Sequence, residues 1–232
     1  MKKFIENEIK NLLLDLKKIT LTSSPSYYES DRIALIKKIL FSIGYEGQID
    51  DVGNLIYTIN GKKSKQVVFS AHTDTVFNKD TKLEIIEKNG KYYCPGVCDN
   101  SLGIVSMIYL MKYIKENVIV PKYNTTFLFN VCEEGLGNLK GIRHFFDNNN
   151  NNNLIAHFAI EGHKLGRLTS KVVGSIRRKI KIKTKGGHSW RDFGSKNAIN
   201  VISEMISKFN KIELPKEPKT TFNIGIIKGG SS

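Results

Sequence analysis

The sequence predicts an α/β fold built on a mostly parallel, mixed sheet with helices on both faces. Segments rich in branched and aromatic residues alternate with segments of helical period, and several of the former are apolar throughout, as strands covered on both faces are. Three of these apolar segments also end in acids or histidine. In open α/β sheets, ligands gather outside the carboxyl ends of the strands.

Taken in order, Ile5, Ile9, Leu12, Leu13 and Leu16 recur at helical spacing, and Ile33, Ile36, Ile39 and Leu40 repeat the pattern after "SSPSYYESDR". Two amphipathic helices are therefore expected first. "GNLIYTING" (53–61) and "KQVVFSAH" (65–72) follow as strands, the first closed by the Asn60-Gly61 turn signal. "KLEIIEKNGKYYC" (82–94) reads as two short strands hinged at Asn89-Gly90. "LGIVSMIYLMKYI" (102–114) is apolar almost all round, so this helix should be sandwiched inside the fold. "NTTFLFNVCEE" (124–134) is a buried strand, "NLKGIRHFF" (138–146) a short helix, Asn148–Asn153 a polar loop and "LIAHFAIEG" (154–162) another apolar strand.

Beyond about residue 172 the character changes. "GSIRRKIKIKTKGG" (174–187) alternates with period two, "AINVISEMISKF" (198–209) is an amphipathic helix and "TTFNIGIIKGGSS" (220–232) is a strand. The expected organisation is a domain over 1–171 and a partial α+β domain over 172–232, a strand-helix-strand set that lacks the partners a small sheet needs.

The chain has 232 residues, 40% of them apolar, enough for a core. No apolar run approaches the ~20 residues of a membrane-spanning helix, and "MKKFIENEIKNLLLDLKK" is unlike a signal peptide, so a cytoplasmic location and no membrane partner are expected. Three cysteines, Cys94, Cys98 and Cys132, do not describe a disulfide-stapled fold, and the spacing of Cys94 and Cys98 with no second pair nearby makes a poor zinc-cysteine site. The net charge of +14 raises nucleic acid as a partner, but the lysines are scattered through almost every segment and no aromatic-basic platform accompanies them. No nucleic-acid partner is expected.

The chemistry gathers at the strand ends: His72 and Asp74 in "FSAHTD", Glu133 and Glu134 in "FNVCEEG", Glu161 and His163 in "FAIEGH". Asp99 in "GVCDNSLG" precedes the buried helix. Singly, each has a plainer explanation, as a hydrogen-bonded histidine or solvated acids. Packed together, the carboxylates would repel one another unless a cation lay between them, and Asp, Glu and neutral His are zinc ligands.

These motifs resemble the co-catalytic zinc peptidases and amidohydrolases, the family of carboxypeptidase G, peptidase T, acetylornithine deacetylase and aminoacylase. By that resemblance the fold is zinc exopeptidase-like, with residues 1–171 as catalytic domain and 172–232 as part of a lid or dimerisation domain. The resemblance makes His72 in "SAHTDTV" a metal ligand and Asp74 the carboxylate that orients its imidazole. It makes Asp99 the ligand shared by two metals, with the bond after it often cis. In "CEEG" it makes Glu133 the general base and Glu134 a ligand of the other metal, and in "IEG" Glu161 completes the first site. "GGHSWRDFG" is similar to the lid, where His188 would reach a substrate in the partner subunit and stabilise the tetrahedral intermediate.

The resemblance thus implies two zinc ions, with cobalt or manganese as alternatives, short peptides or N-acyl amino acids as substrates and a homodimer through the lid. "GGHSWRDFG" and "EGHKLGRLTS" look closest to the peptidase T-like branch, which puts short peptides first. Two metals about 3.5 to 4 Å apart polarise a carbonyl and activate water. The family's last ligand is a histidine beyond the lid, and none of the five histidines here follows His188. The chain therefore looks C-terminally truncated, and a non-catalytic binding or scaffold protein that keeps the fold is the competing expectation. His157 and His163 are weak substitutes for that ligand: one lies inside a strand, the other directly after a ligand position.

Overall fold

The computed structural model describes residues 1–149, 151–162 and 166–230, in two compact units, Met1–Gly166 and Arg167–Ser232. The first unit opens with helices α1 (Lys2–Leu21) and α2 (Ser30–Ser42). Strands β1 (Gln48–Ile49), β2 (Leu55–Ile59) and β3 (Lys63–His72) follow, then a hairpin of β4 (Ile86–Lys88) and β5 (Lys91–Tyr93). Helix α3 (Gly103–Glu116), strand β6 (Tyr123–Asn130), helix α4 (Lys140–Asn148) and strand β7 (Leu154–Ala159) complete it.

Five strands form one sheet in the order β1-β2-β6-β3-β7. β6, β3 and β7 run parallel, while β2 pairs antiparallel to β6 and β1 to β2, which is the mostly parallel, mixed sheet expected. The hairpin turns through Asn89 (φ 53) and Gly90 (φ 69), two left-handed residues of the kind a two-residue turn needs.

Strand alternation divides the side chains between two cores. Phe127 and Phe129 of β6 join Leu55, Tyr57 and Ala71 under α1, α2 and α3, where Leu16, Ile19, Ile36, Leu40, Ile104 and Ile108 pack. Leu128 and Val68 point the other way and meet Phe145 of α4. Helices thus cover both faces. α3 is buried over most of its length, with Ile104, Val105, Met107, Ile108, Tyr109 and Met111 all inside, as its apolar circumference requires.

β7 differs from the expectation of a covered strand. It is the last strand in the order, and Ile155 (46% exposed) and Phe158 (39%), the latter stacked on Phe69, stay partly open to solvent. Its apolar sequence is that of an interior strand in an edge position.

In the second unit the helix expected over 198–209 is present as α5 (Ala198–Phe209), capped by Asn197, whose side chain accepts from the amides of Ile199 (2.8 Å) and Asn200 (3.2 Å). The two strands expected around it are absent among the described residues: 174–187 and 220–230 have no ladder partners. A period-two pattern supplies the faces of a strand but not the neighbour that satisfies its backbone, and two isolated segments do not make a stable sheet. No helix among the described residues is long and apolar enough to cross a membrane.

Candidate metal centre

The carboxyl ends of the three parallel strands meet at one end of the sheet. β3 ends on His72, β6 runs into Glu133 and Glu134, and β7 into Glu161. Asp99 arrives from the other direction, on the wound turn Val97–Leu102 that leads into α3. That turn leaves helical geometry at Asp99 (φ −113, ψ 93), and the Asp99–Asn100 bond is cis, the isomer the resemblance implied. Asn100 fixes the turn by donating its side-chain amide to Ile160 O (2.8 Å) at the end of β7. Gly162 permits the close approach, since a Cβ there would collide with the carbonyl of Cys98.

His72, Asp99 and Glu134 each offer one ligand atom, and these atoms lie within 4.8 Å of one another. His72 Nε2 is 2.9 Å from Asp99 Oδ1 and 3.8 Å from Glu161 Oε2. Its Nδ1 lies 3.1 Å from the Asp74 carbonyl oxygen and 3.5 Å from the Asp74 carboxylate. A proton held at Nδ1 by that pair leaves Nε2 as the ligating nitrogen. The set fits a divalent cation on its own chemistry: one imidazole and two carboxylates of mixed exposure, converging on one point.

Asp74 is fully buried and anchors the site. Its Oδ1 accepts from the Glu133 amide (2.9 Å), and its Oδ2 from the Glu134 amide (2.9 Å) and the Ser26 hydroxyl (2.6 Å). Burial alone would raise its pKa, but the hydrogen bonds from His72, Ser26 and the two amides hold it below the usual carboxylate range. Arg32, buried behind it, donates to Thr22 O through Nε (3.1 Å) and Nη2 (2.6 Å), and to Thr73 O through Nη1 (3.1 Å). Burial lowers its pKa to about 10, and the Asp74 charge opposes that.

Without metal, burial pushes the His72 imidazole down, but its hydrogen bonds to Asp74, Asp99 and Glu161 overcome this and raise its pKa to about 12. Glu133 and Glu134 are both raised. Burial comes first in each, the Asp74 and Asp99 charges add to it, and the His72 charge opposes it. This mutual repulsion of acids is the condition that a cation relieves.

Of the residues singled out from sequence, the structure gathers His72, Asp74, Asp99, Glu133, Glu134 and Glu161 at one end of the sheet. His157 is turned to Ser70 Oγ (2.7 Å) within the sheet. His163 lies outside the described residues. His188 belongs to the second unit, where it is exposed and its Nδ1 accepts from the amides of Trp190 (3.2 Å) and Arg191 (3.4 Å), which leaves Nε2 as its N–H donor.

Sequence reading missed Ser26, Glu29 and Arg32. Ser26 and Glu29 sit in the "SSPSYYESDR" link between two helices, and Arg32 looks like an ordinary exposed helix charge. The one available signal was the density of hydroxyl and acidic residues in that link.

The comparisons agree with this architecture. The model of Peptidase family M20/M25/M40 matches residues 68–225, more than half of the sequence. The chain belongs to that family, one of peptidase and amidohydrolase type.

An uncharacterized metallohydrolase of Methanocaldococcus jannaschii is 37% identical over 101 residues, 41% of this chain and 24% of the relative. Allantoate amidohydrolase of Bacillus subtilis is 29% identical over 119 residues, 46% of this chain and 25% of the relative. The chain thus spans about a quarter of the length of these curated relatives. Among solved structures, aminopeptidase PepT from Bacillus cereus superposes with a TM-score of 0.54 at 22% identity, over 66% of this chain and 43% of that one. The Bacillus subtilis YXEP protein, described as a dinuclear metal binding peptidase, superposes at 0.51 with 18% identity, over 68% and 43%. At these identities the likeness is one of fold.

Proposed function

We propose that this chain provides the metal centre and general base of a zinc-dependent hydrolase that cleaves the peptide or amide bonds of short peptides as an exopeptidase. The observation that carries the reading is the convergence of His72, Asp99 and Glu134 ligand atoms within 4.8 Å, with Glu133 beside them and its amide tied back to Asp74. His72, Asp99 and Glu161 would hold one zinc ion, and Asp99 and Glu134 would contribute ligands to a second.

When bound, the metals supply Lewis acidity to a substrate carbonyl and bring the pKa of water to about 7. Asp74 keeps the His72 ring oriented. Glu133 accepts the proton of the attacking water and delivers it to the leaving amine, a role that needs a carboxylate within hydrogen-bond reach of the water and off the metals. His188, with Nε2–H free to donate, stabilises the oxyanion in a partner subunit's site, which makes the working form a homodimer. Three free cysteines accord with a cytoplasmic setting.

A second reading, hydrolysis of the amide of an N-acyl amino acid, is favoured by the similarity to an allantoate amidohydrolase. Incubating the zinc-supplied chain with pooled di- and tripeptides, and separately with N-acyl amino acids, decides between them by mass spectrometry. Peptide cleavage that vanishes in Glu133→Gln supports the first reading, and cleavage confined to N-acyl compounds supports the second. Cleavage that survives in Glu133→Gln overturns the assigned base, and no cleavage by the folded chain assigns the activity to a longer chain.

A further inference from the structure

The segment between α1 and α2 carries two side chains that end on the loop of the general base. Ser26 Oγ lies 2.6 Å from Asp74 Oδ2 and 3.3 Å from the Glu134 carbonyl oxygen. Glu29, 5% exposed, accepts from the Cys132 amide (2.9 Å) and the Tyr27 amide (3.0 Å) through the same Oε1. Three consecutive amides, those of Cys132, Glu133 and Glu134, are therefore held by two carboxylates, Glu29 and Asp74, and Ser26 orients the second.

The segment is itself pinned. Thr75 N donates to Ser24 O (2.8 Å), and Ser24 Oγ to Thr73 O (2.8 Å), on either side of Asp74. Tyr27 stands between the two clasping residues at φ 74, a left-handed conformation that a bulky side chain keeps only where its surroundings over-determine it.

We infer that Ser26 and Glu29 are positioning residues for the metal centre: together they clamp the Cys132–Glu134 loop, setting where the Glu134 carboxylate meets His72 and Asp99 and where Glu133 stands beside them. This rests on the metal-centre reading above and adds residues that touch neither metal nor substrate. Ser26 has the sharper role. Without its hydroxyl, Asp74 Oδ2 loses the shortest of its hydrogen bonds, and the carboxylate that lies 3.5 Å from His72 Nδ1 is left to the two glutamate amides, which loosens all three contacts. Outer partners of this kind typically alter metal affinity by about 10- to 100-fold.

The test compares wild type, Ser26→Ala, Ser26→Thr and Glu29→Gln by two measurements: amide hydrogen exchange read residue by residue, and affinity for cobalt(II) read from its visible absorption. In Ser26→Ala, exchange at Glu133 and Glu134 should rise about tenfold or more while Phe69 and Phe127 in the sheet keep their protection. Cobalt affinity should fall by about 10- to 100-fold, and Ser26→Thr, which restores the hydroxyl, should recover both. Glu29→Gln keeps an acceptor oxygen and should lie nearer to wild type than Ser26→Ala does.

Unchanged exchange and cobalt affinity in Ser26→Ala overturn the inference. So does a rise in exchange spread evenly over the sheet, which would mark a general loss of stability. If wild type binds no cobalt, it is the metal-centre reading that fails, and the exchange pattern alone then decides whether the clamp exists.

Discussion

His72 Nε2 and Asp99 Oδ1 lie 2.9 Å apart, although one side chain ends a sheet strand and the other sits on a turn leading into a buried helix. In the metal-free chain burial lowers the imidazole pKa, but hydrogen bonds to Asp74, Asp99 and Glu161 hold a proton on the ring and raise it to about 12. A metal must displace that proton. The sign follows directly: the proton is present before loading and absent after it, so higher pH favours the metal. Apparent zinc affinity should climb by about tenfold per pH unit between pH 6 and 8 for one displaced proton. Calorimetric titration in buffers of different ionisation enthalpy reads the release, and a flat affinity over that range would contradict it.

Arg32 is 1% exposed and gives three hydrogen bonds to the carbonyls of Thr22 and Thr73. Its charge also lies close enough to Asp74 to oppose the fall in its own pKa. Arg32→Ala leaves the part-buried Thr22 carbonyl and the buried Thr73 carbonyl without these donors, removes that balancing charge and opens a cavity. The cost should be about 3 kcal/mol or more, visible as a lower urea midpoint. A loss under about 1 kcal/mol would show that water takes over the role of the guanidinium.

Gly162 is where β7's continuation passes the Asp99 turn, with no room for a Cβ against the Cys98 carbonyl. Gly162→Ala should push Glu161 and Asp99 apart. A stability loss of about 1–3 kcal/mol together with weaker zinc binding is expected. Thermal unfolding and zinc titration measure the two effects, and zinc affinity equal to wild type would show that the turn absorbs the shift.

The cysteines should separate by reactivity. Cys132 is buried beside Glu29, and burial, with that charge adding to it, raises its thiol to about 11, whereas Cys98 is exposed. Iodoacetamide at pH 8 should therefore label Cys98 in minutes and leave Cys132 unmodified until the chain is unfolded. Mass spectrometry of the labelled peptides gives the order directly. Prior labelling of Cys132 would place the Cys132–Glu134 loop in a more open state.

Much of this was legible in the sequence because it was local. The apolar runs that became β3, β6 and α3 carry their own periodicity, and His72, Asp99, Glu133, Glu134 and Glu161 stand in short motifs beside them. The rest depends on distant partners. Whether β7 is interior or edge is decided by what lies beyond it in the sheet, and the alternating segment at 174–187 forms no strand without a neighbour. Ser26 and Glu29 act over more than 100 residues of chain on the main chain of Cys132 and Glu134, and hydrogen bonds to main chain require no particular residue at the other end. Nothing in the sequence around Cys132 therefore signals its partner.

The most direct test of the central claim is metal content. The wild-type chain and the double variant His72→Ala, Asp99→Asn, each equilibrated with micromolar zinc and then gel-filtered, should be analysed by inductively coupled plasma mass spectrometry. Retention of at least one zinc ion per chain by wild type and none by the double variant is the predicted result. Equal zinc in both, or none in a folded wild type, would contradict a metal centre built on His72, Asp99 and Glu134.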